Sequence, residues 1–533
     1  MRGIHLRSSA WIGTSLAAAI VAGAVFLSAT PAAAATNWYV GGPGALDTND
    51  CLSPATACMN IQAAIDKALA GDVINVATGV YSEAPSGSEL RVNKTLTLLG
   101  AGHGTDARTR IASESIISTA QGTSITKDNV VMDGFTIQDS VNPANTGFGI
   151  DIGAGTTGAQ ILNNIIQNNI VGIGLANTGA VQVVIKHNVI QNNNQSGGAS
   201  GDGIYTDQFV GGGALANVLI VENSFKANAD AGIDISNTDS TMPVSNLDIS
   251  TNSFDQNGRA VLFFNTHSTS IHGNSITHST LATSAAIRLC DNNSDITILN
   301  NTLLTGVGHA IKLSDCGAVT PVGPHPNSNV VINHNNIGSG GSASFVGDGL
   351  LVDPGGHVGT VNAICNWWGS SSGPTNPSNA GGMGEEVVGD ANFKPWWTMP
   401  SQTSPCPAPP QCKPGEEDNG DGDVQDNNGK HRGHFHFDEC DSNQEFSHQD
   451  SDNNVDFHSS PEDHSAPQFD VNLPIATTTG HGLNNGQDVT YVLVVTAGLT
   501  PGTSLYSLTL SDASGVIYVS SGTLISGYIN VVR

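Results

Sequence analysis

Charge and aromatic rings are what this sequence has least of. Only 12% of its 533 residues are charged and 5% aromatic, against about a quarter charged in an ordinary globular chain. That scarcity excludes a helical bundle, whose exposed faces are built from Glu, Lys and Arg. Bases are scarcer still, 18 against 46 acids for a net charge of −28. Nucleic-acid binding needs a basic footprint, so no nucleic-acid partner is expected. After the N-terminal segment, no apolar run approaches the length of a membrane span. Glycine is plentiful instead, at 63 residues.

Arg2 and Arg7 precede an apolar run from Trp11 to Ala29, and Ala33-Ala34-Ala35 follow it. This is the pattern of a secretory signal with a small-residue cleavage site, so residues 1–35 are expected to be removed. The mature chain would carry 16 bases against 46 acids, a charge of −30, and no membrane span. Export permits disulfides. Cys51 and Cys58 are close in sequence, Cys406 and Cys412 flank a Pro-rich stretch, and Cys290 and Cys316 fall on neighbouring units of the repeat below. Cys365 and Cys440 are left without an assigned partner, and the pairing itself stays open.

From about residue 130 a phrase recurs: Asn, any residue, a large apolar residue, then polar residues and glycine. Its anchors are Asn164, Asn188, Asn223, Asn252, Asn274, Asn301, Asn335 and Asn366, with Phe135 in the same place one unit earlier. They lie 22 to 35 residues apart, about 29 on average. Irregular spacing in this range, with polar glycine-rich turns, indicates a β solenoid. Runs with period-two alternation repeat inside each unit, such as GIDI (Gly149–Ile152 and Gly232–Ile235), GIYT (Gly203–Thr206), AIRL (Ala286–Leu289) and AIKL (Ala310–Leu313). Three short strands per unit make a triangular coil, and coils stack into parallel sheets about 4.8 Å apart. About ten coils are expected. The anchor asparagines are expected to stack at one corner, bonding amide to amide and accommodating a left-handed turn.

Two segments carry a family resemblance. Ala57–Glu83 (ACMNIQAAIDKALAGDVINVATGVYSE) and Leu90–Gly102 (LRVNKTLTLLGAG) resemble the opening of secreted right-handed parallel β-helix proteins of the pectin-lyase-like kind. In that family an amphipathic helix caps the first coil, and here Ile61, Ala64, Ile65 and Leu69 fit its buried stripe. Cys365–Pro377 (CNWWGSSSGPTNP) through Phe393–Trp397 (FKPWW) resembles the closing motif of bacterial members, with tryptophans suited to plug the last coil. The resemblance covers about residues 38–400. It implies an all-β, right-handed parallel β-helix with an N-terminal capping helix, a fold that hosts lyases, hydrolases, esterases and adhesins alike.

The residue after the inward apolar position of each coil gives one outward column: Asp151, Gly174, Tyr205, Asp234, Leu262, Arg288, Lys312 and Leu351. Asp207, Asp239, Asp291 and Asp315 lie beside it, and long loops follow the strand at Gln208–Ala216, Asn237–Ser245 and Ser314–Ser328. Loops stacked on one edge can wall a groove. In a lyase reading, carboxylates hold a calcium ion and Arg288 or Lys312 is the base; in a hydrolase reading, Asp207 and Asp234 are the acid–base pair. Asp151, Tyr205, Asp239, Asp291 and Asp315 would then bind substrate. Asn237-Thr238-Asp239 matches one polygalacturonase signature, but the accompanying Asp-Asp, Gly-His-Gly and Arg-Ile-Lys motifs are missing, as is the pectin methylesterase signature. The plain alternative is a solvated face with Asp in its turns.

Residues 401–430 read as a Pro-rich, acidic linker. Glu416–Asp470 holds 16 acids, two bases and six histidines; its opening resembles a calcium loop but fails the EF-hand register. In His431–Asp441 (HRGHFHFDECD) a strand would place His434, His436 and Asp438 on one face, a zinc or copper arrangement if His448 or His458 joins. Residues 431–533 are expected to form a small β-sandwich-like accessory domain. The partner expected is an extracellular polysaccharide or a cell-surface component, with lyase or hydrolase activity. The competing readings are a non-catalytic surface or matrix protein, and a periplasmic metal-handling protein, since the repeats also resemble the copper-associated β-helix of the nitrous-oxide system.

Overall fold

The computed structural model describes residues 34–83, 85–111, 113–142, 147–198, 201–211, 215–339, 344–379, 381–400, 417–425, 430–438, 445–464, 468–469, 475–496, 504–512 and 515–532. The expected leader, apart from its last two residues, and Cys406, Cys412 and Cys440 lie outside them.

Residues 37–392 wind into a right-handed parallel β-helix of three sheets with thirteen, twelve and ten strands; the shortest matches the ten coils expected. Each strand pairs with its counterpart one coil on, and Val183–Lys186, for example, pairs with Val218–Val221. Alternation decides the fold locally: Ile and Val at every second position are fully buried, as at Ile150, Ile173, Ile204, Ile233, Val261, Ile287 and Ile311, and form one continuous core.

The anchor asparagines form an unbroken ladder inside that core. Asn164, Asn188, Asn223, Asn252, Asn274, Asn301, Asn335 and Asn366 are all buried. Each amide oxygen accepts the backbone N–H of the preceding rung, as Asn252 does from Asn223 at 2.9 Å, and each amide nitrogen donates to the next rung, as Asn252 does to Asn274 at 3.1 Å. The left-handed turn sits one residue earlier than expected, at His187, Glu222, Thr251, Asn300, His334 and Cys365, all with φ between 52° and 59°. A second ladder, Asn169–Asn193–Asn228–Asn257, runs five residues further along each coil.

The capping helix spans Ile61–Lys67, with Ile61, Ala64 and Ile65 buried. Leu69 does not join the stripe: the helix ends at Lys67 and Leu69 is 72% exposed. Glu83 closes the helix N-terminus by accepting the N–H groups of Ile61 and Gln62 at 3.1 and 2.9 Å. At the other end Trp368 and Phe393 are buried in the core and Trp396 packs against it. Disulfides join Cys51 to Cys58 and Cys290 to Cys316. Cys365 is disulfide-bonded as well, so it is not left over.

The C-terminal strands form one antiparallel sheet that closes on itself, because Val455–His464 pairs with both Glu445–Asp450 and Ile475–Asn484. The accessory domain is therefore a small barrel rather than a two-sheet sandwich. It begins before His431: the acidic stretch expected as linker supplies strand Glu417–Gln425, between His431–Asp438 and Gly515–Val532. Alternation is hidden there because a glycine, Gly422, takes an inward position beside Val424 while Asp421 and Asp423 face out. Among the described residues no helix is long and apolar enough to cross a membrane.

Candidate functional site

The outward column lies on the twelve-stranded sheet in the expected register. Asp151 pairs with Gly174, Gly174 with Tyr205, Tyr205 with Asp234, Asp234 with Leu262, Leu262 with Arg288, Arg288 with Lys312 and Lys312 with Leu351. The column is not uniformly solvated. Phe148, Ile170 and Val171 make a small apolar cluster outside the main core, and Tyr205 and Val210 pack on it. Gly174 leaves the room this cluster uses: a Cβ there would stand 2.9 Å from the Phe148 ring and 3.1 Å from Asp151 Oδ1. Burial, with the Glu89 charge, pushes the Asp151 carboxyl up to about 6.

The strongest electrostatic feature is one coil on. A carboxylate oxygen from each of Asp202, Asp230 and Asp234 lies within 4.8 Å of the other two. Asp202 and Asp234 are 1% and 4% exposed, while Asp230 keeps solvent access on its side chain and is ion-paired with Arg259 at 2.5 Å. Arg259 is itself fixed by a bond from Nε to Ser284 Oγ at 2.7 Å. Burial raises the Asp234 carboxyl to about 7; Ser236 lowers it by donating to Oδ1, Asp230 and Asp207 raise it further, and Arg259 opposes them. Asp202 is raised well above the carboxylate range by burial and by the charges of Asp234 and Asp230. Crowded buried carboxyls of this kind keep a proton near neutrality. The same three residues are the ones that could hold a divalent cation, the role expected for calcium.

Other predicted residues are committed to holding loops. Asp207 Oδ1 accepts the N–H groups of Phe209 and Val210 at 2.8 and 2.7 Å, and Oδ2 accepts the Tyr205 hydroxyl at 2.9 Å. Asp239 accepts the N–H and hydroxyl of Thr241 at 2.9 and 2.7 Å. Asp291, fully buried, accepts the N–H groups of Cys316, Gly317, Ala318 and Val319. Asp315 accepts those of Gly317 and His325, at 3.1 and 3.3 Å. Arg288 lies on the Cys290–Cys316 disulfide, its Nε 3.1 Å from Cys290 Sγ; burial and the charge of Arg259 lower its guanidinium below the usual value. Lys312 is ion-paired with Asp353 at 3.1 Å.

On the barrel, His434 and His436 face Asp423 and Asp421 of the neighbouring strand, each at 3.3 Å. Asp438 stands in register with Asn419 and Glu445. His448 is not on that face: it is buried inside the barrel, accepting from Tyr506 at Nδ1 (3.0 Å) and bonded to Tyr518 through Nε2 (2.9 Å). His458 pairs with Asp456 at 3.3 Å. Among the described residues, a group of three metal-ligating side chains whose atoms meet within 4.8 Å is the Asp202 trio; the Asp438 side chain of the expected histidine site lies outside the described residues.

Asp202, Asp230 and Arg259 were not legible as site residues. They precede their strands by one or two positions or open them, where Asp is an ordinary turn residue. The available signal was that Asp202-Gly203-Ile204 and Asp230-Ala231-Gly232-Ile233 repeat an acid just ahead of the column strand.

Residues 185–362 match the family described as right handed beta helix region. No curated protein sequence matches the chain. Among solved structures, the catalytic domain of Agl-KA is similar at 15% identity, a TM-score of 0.42, 62% of this chain and 64% of that one. The ORF18 protein of Geobacillus virus E2 is similar at 13% identity and a TM-score of 0.41, over 93% and 78% of the two chains. Pectate lyase Pel9A is similar at 13% identity and a TM-score of 0.40, over 70% and 82%. The chain thus spans less than two thirds of the length of the first of these. At these identities the likeness is one of architecture.

Proposed function

We propose that the chain binds and hydrolyses an extracellular polysaccharide along the outer face of the twelve-stranded sheet, with Asp234 as proton donor. The observation that carries the reading is the Asp202–Asp230–Asp234 trio, in which a carboxyl held at about 7 adjoins an ion-paired, solvent-accessible carboxylate. Glycoside hydrolysis needs that pair of states side by side. The Asp234 carboxyl gives its proton to the glycosidic oxygen as the bond to the anomeric carbon breaks. Asp230, whose carboxylate oxygen lies within 4.8 Å of that of Asp234, attacks this carbon to form a glycosyl ester, and a water that gives its proton back to the Asp234 carboxylate then displaces Asp230 from the sugar. Asp207 and Tyr205 set the loop beside the acid, and Asp207 does not serve as the second catalytic carboxylate because both its oxygens are engaged.

Hydrolysis is favoured over elimination by what the cations do. Lys312 is held by Asp353 and Arg288 by the disulfide sulfurs, so neither is placed as a free base. Incubation with a panel of polysaccharides, followed by assay of new reducing ends, tests the reading. Reducing ends without the ultraviolet absorbance of unsaturated sugars are expected; unsaturated ends would transfer the site to the lyase class. A second reading, a non-catalytic surface rod, is supported by the use of Asp207, Asp239, Asp291 and Asp315 as loop anchors, and it gains if no polysaccharide is shortened.

A further inference from the structure

Phe209 is 80% exposed, and it is the one strongly exposed aromatic side chain among the described residues. Single exposed apolar residues are common, but the backbone under this one is held on both sides. Its own N–H and that of Val210 donate to Asp207 Oδ1. The preceding residue, Gln208, is tied to the next coil's loop twice: its amide nitrogen donates to Thr238 Oγ1 at 3.2 Å and its amide oxygen accepts the Thr238 N–H at 3.1 Å. The following residue, Val210, packs with Tyr205 on the Phe148 cluster. A fixed backbone thus presents a free ring at the edge of the acid column. Such pre-organisation lowers the cost of binding against the ring face.

The charges around it restrict what can lie there. Asp207 sits directly beneath the ring, Asp239 follows the Thr238 that Gln208 holds, and the nearby cation Arg259 is committed to Asp230. A polymer bearing a carboxylate on every sugar would meet the Asp207 and Asp239 carboxylates beside the ring, where the cation Arg259 is already paired. An uncharged pyranose, with an apolar C–H face for the ring and hydroxyls for the carboxylates, meets no such penalty. We infer that the substrate class is a neutral polysaccharide and that Phe209 is the platform on which one of its sugar rings stacks. This inference rests on the reading of the site given above.

Affinity electrophoresis of the full chain in gels containing a soluble α-glucan, β-glucan, galactan or mannan, and in polygalacturonate with and without calcium, tests it. Retardation is expected in at least one neutral polymer and not in polygalacturonate. Phe209→Ala is expected to weaken that retention roughly five- to tenfold, and Phe209→Trp to keep it. Full retention by Phe209→Ala overturns the stacking role while leaving the hydrolase reading intact. Preference for polygalacturonate overturns the neutral-substrate assignment. Absence of retention in every polymer defeats this inference and the parent reading together. Because the ring is exposed, both variants are expected to melt with the parent, so lost folding does not confuse the outcome.

Discussion

The Asp234 carboxyl is the residue on which both stability and chemistry turn. Burial holds it at about 7 in the folded chain, against about 3.9 for an unfolded Asp. Between those values the folded state binds more protons than the unfolded one. Its contribution is therefore fully present below about pH 4 and lost as pH rises through about 7, a swing on the order of a few kcal/mol. Asp234→Asn mimics the protonated form, so its melting temperature is expected to vary less than the parent's between pH 4 and 8. Parallel pH–stability curves for the two proteins would show that the carboxyl is not buried as described. A second residue-scale expectation concerns His448, which accepts from the fully buried Tyr506. His448→Phe is expected to cost about 1–3 kcal/mol by orphaning that hydroxyl, and adding Tyr506→Phe is expected to recover part of it in a double-mutant cycle.

The asparagine ladder is the element that fixes coil register. Asn252 accepts from the Asn223 N–H and donates to the Ile220 carbonyl at 2.8 Å. Asn252→Ala leaves both backbone groups buried without those partners, and a loss of roughly 2–4 kcal/mol in chemical denaturation is expected; a change within about half a kcal/mol, the range of a surface position, would contradict the ladder's role. The ladder was legible because its period survives loops of different length. The second ladder was not, since Asn169 and Asn193 look like ordinary polar turn residues until the first ladder gives them a frame. The column was legible for a related reason: each outward residue follows an inward Ile, Leu or Val, so one alternation fixes it. Leu69 misled because apolar spacing says nothing about where a helix stops. The strand at Glu417–Gln425 was hidden because glycine at an inward position leaves no apolar signal.

For the whole molecule, the charge of −28 is not balanced by sparse bases, so the folded chain works against its own repulsion. Raising ionic strength from about 0.01 to about 0.15 M shortens the screening length from about 30 to about 8 Å. A higher melting temperature is expected over that range; a lower one would mean that attractive ion pairs outweigh the repulsion. The same excess of acid is why the sequence argues against a nucleic-acid partner yet leaves the glycan open: total charge reports on partners by class, whereas a substrate is selected by a few side chains whose neighbours come from different coils. Asp230 and Arg259 meet across 29 residues of chain.

The most direct test of the central claim is size-exclusion chromatography of neutral polysaccharides after incubation with the full chain and with Asp234→Asn. The parent is expected to shorten one of them, faster below pH 7 than above it as the acid loses its proton, and the variant to be slower by at least a hundredfold. Equal shortening by both proteins, or an unshortened panel with folded parent, would contradict it.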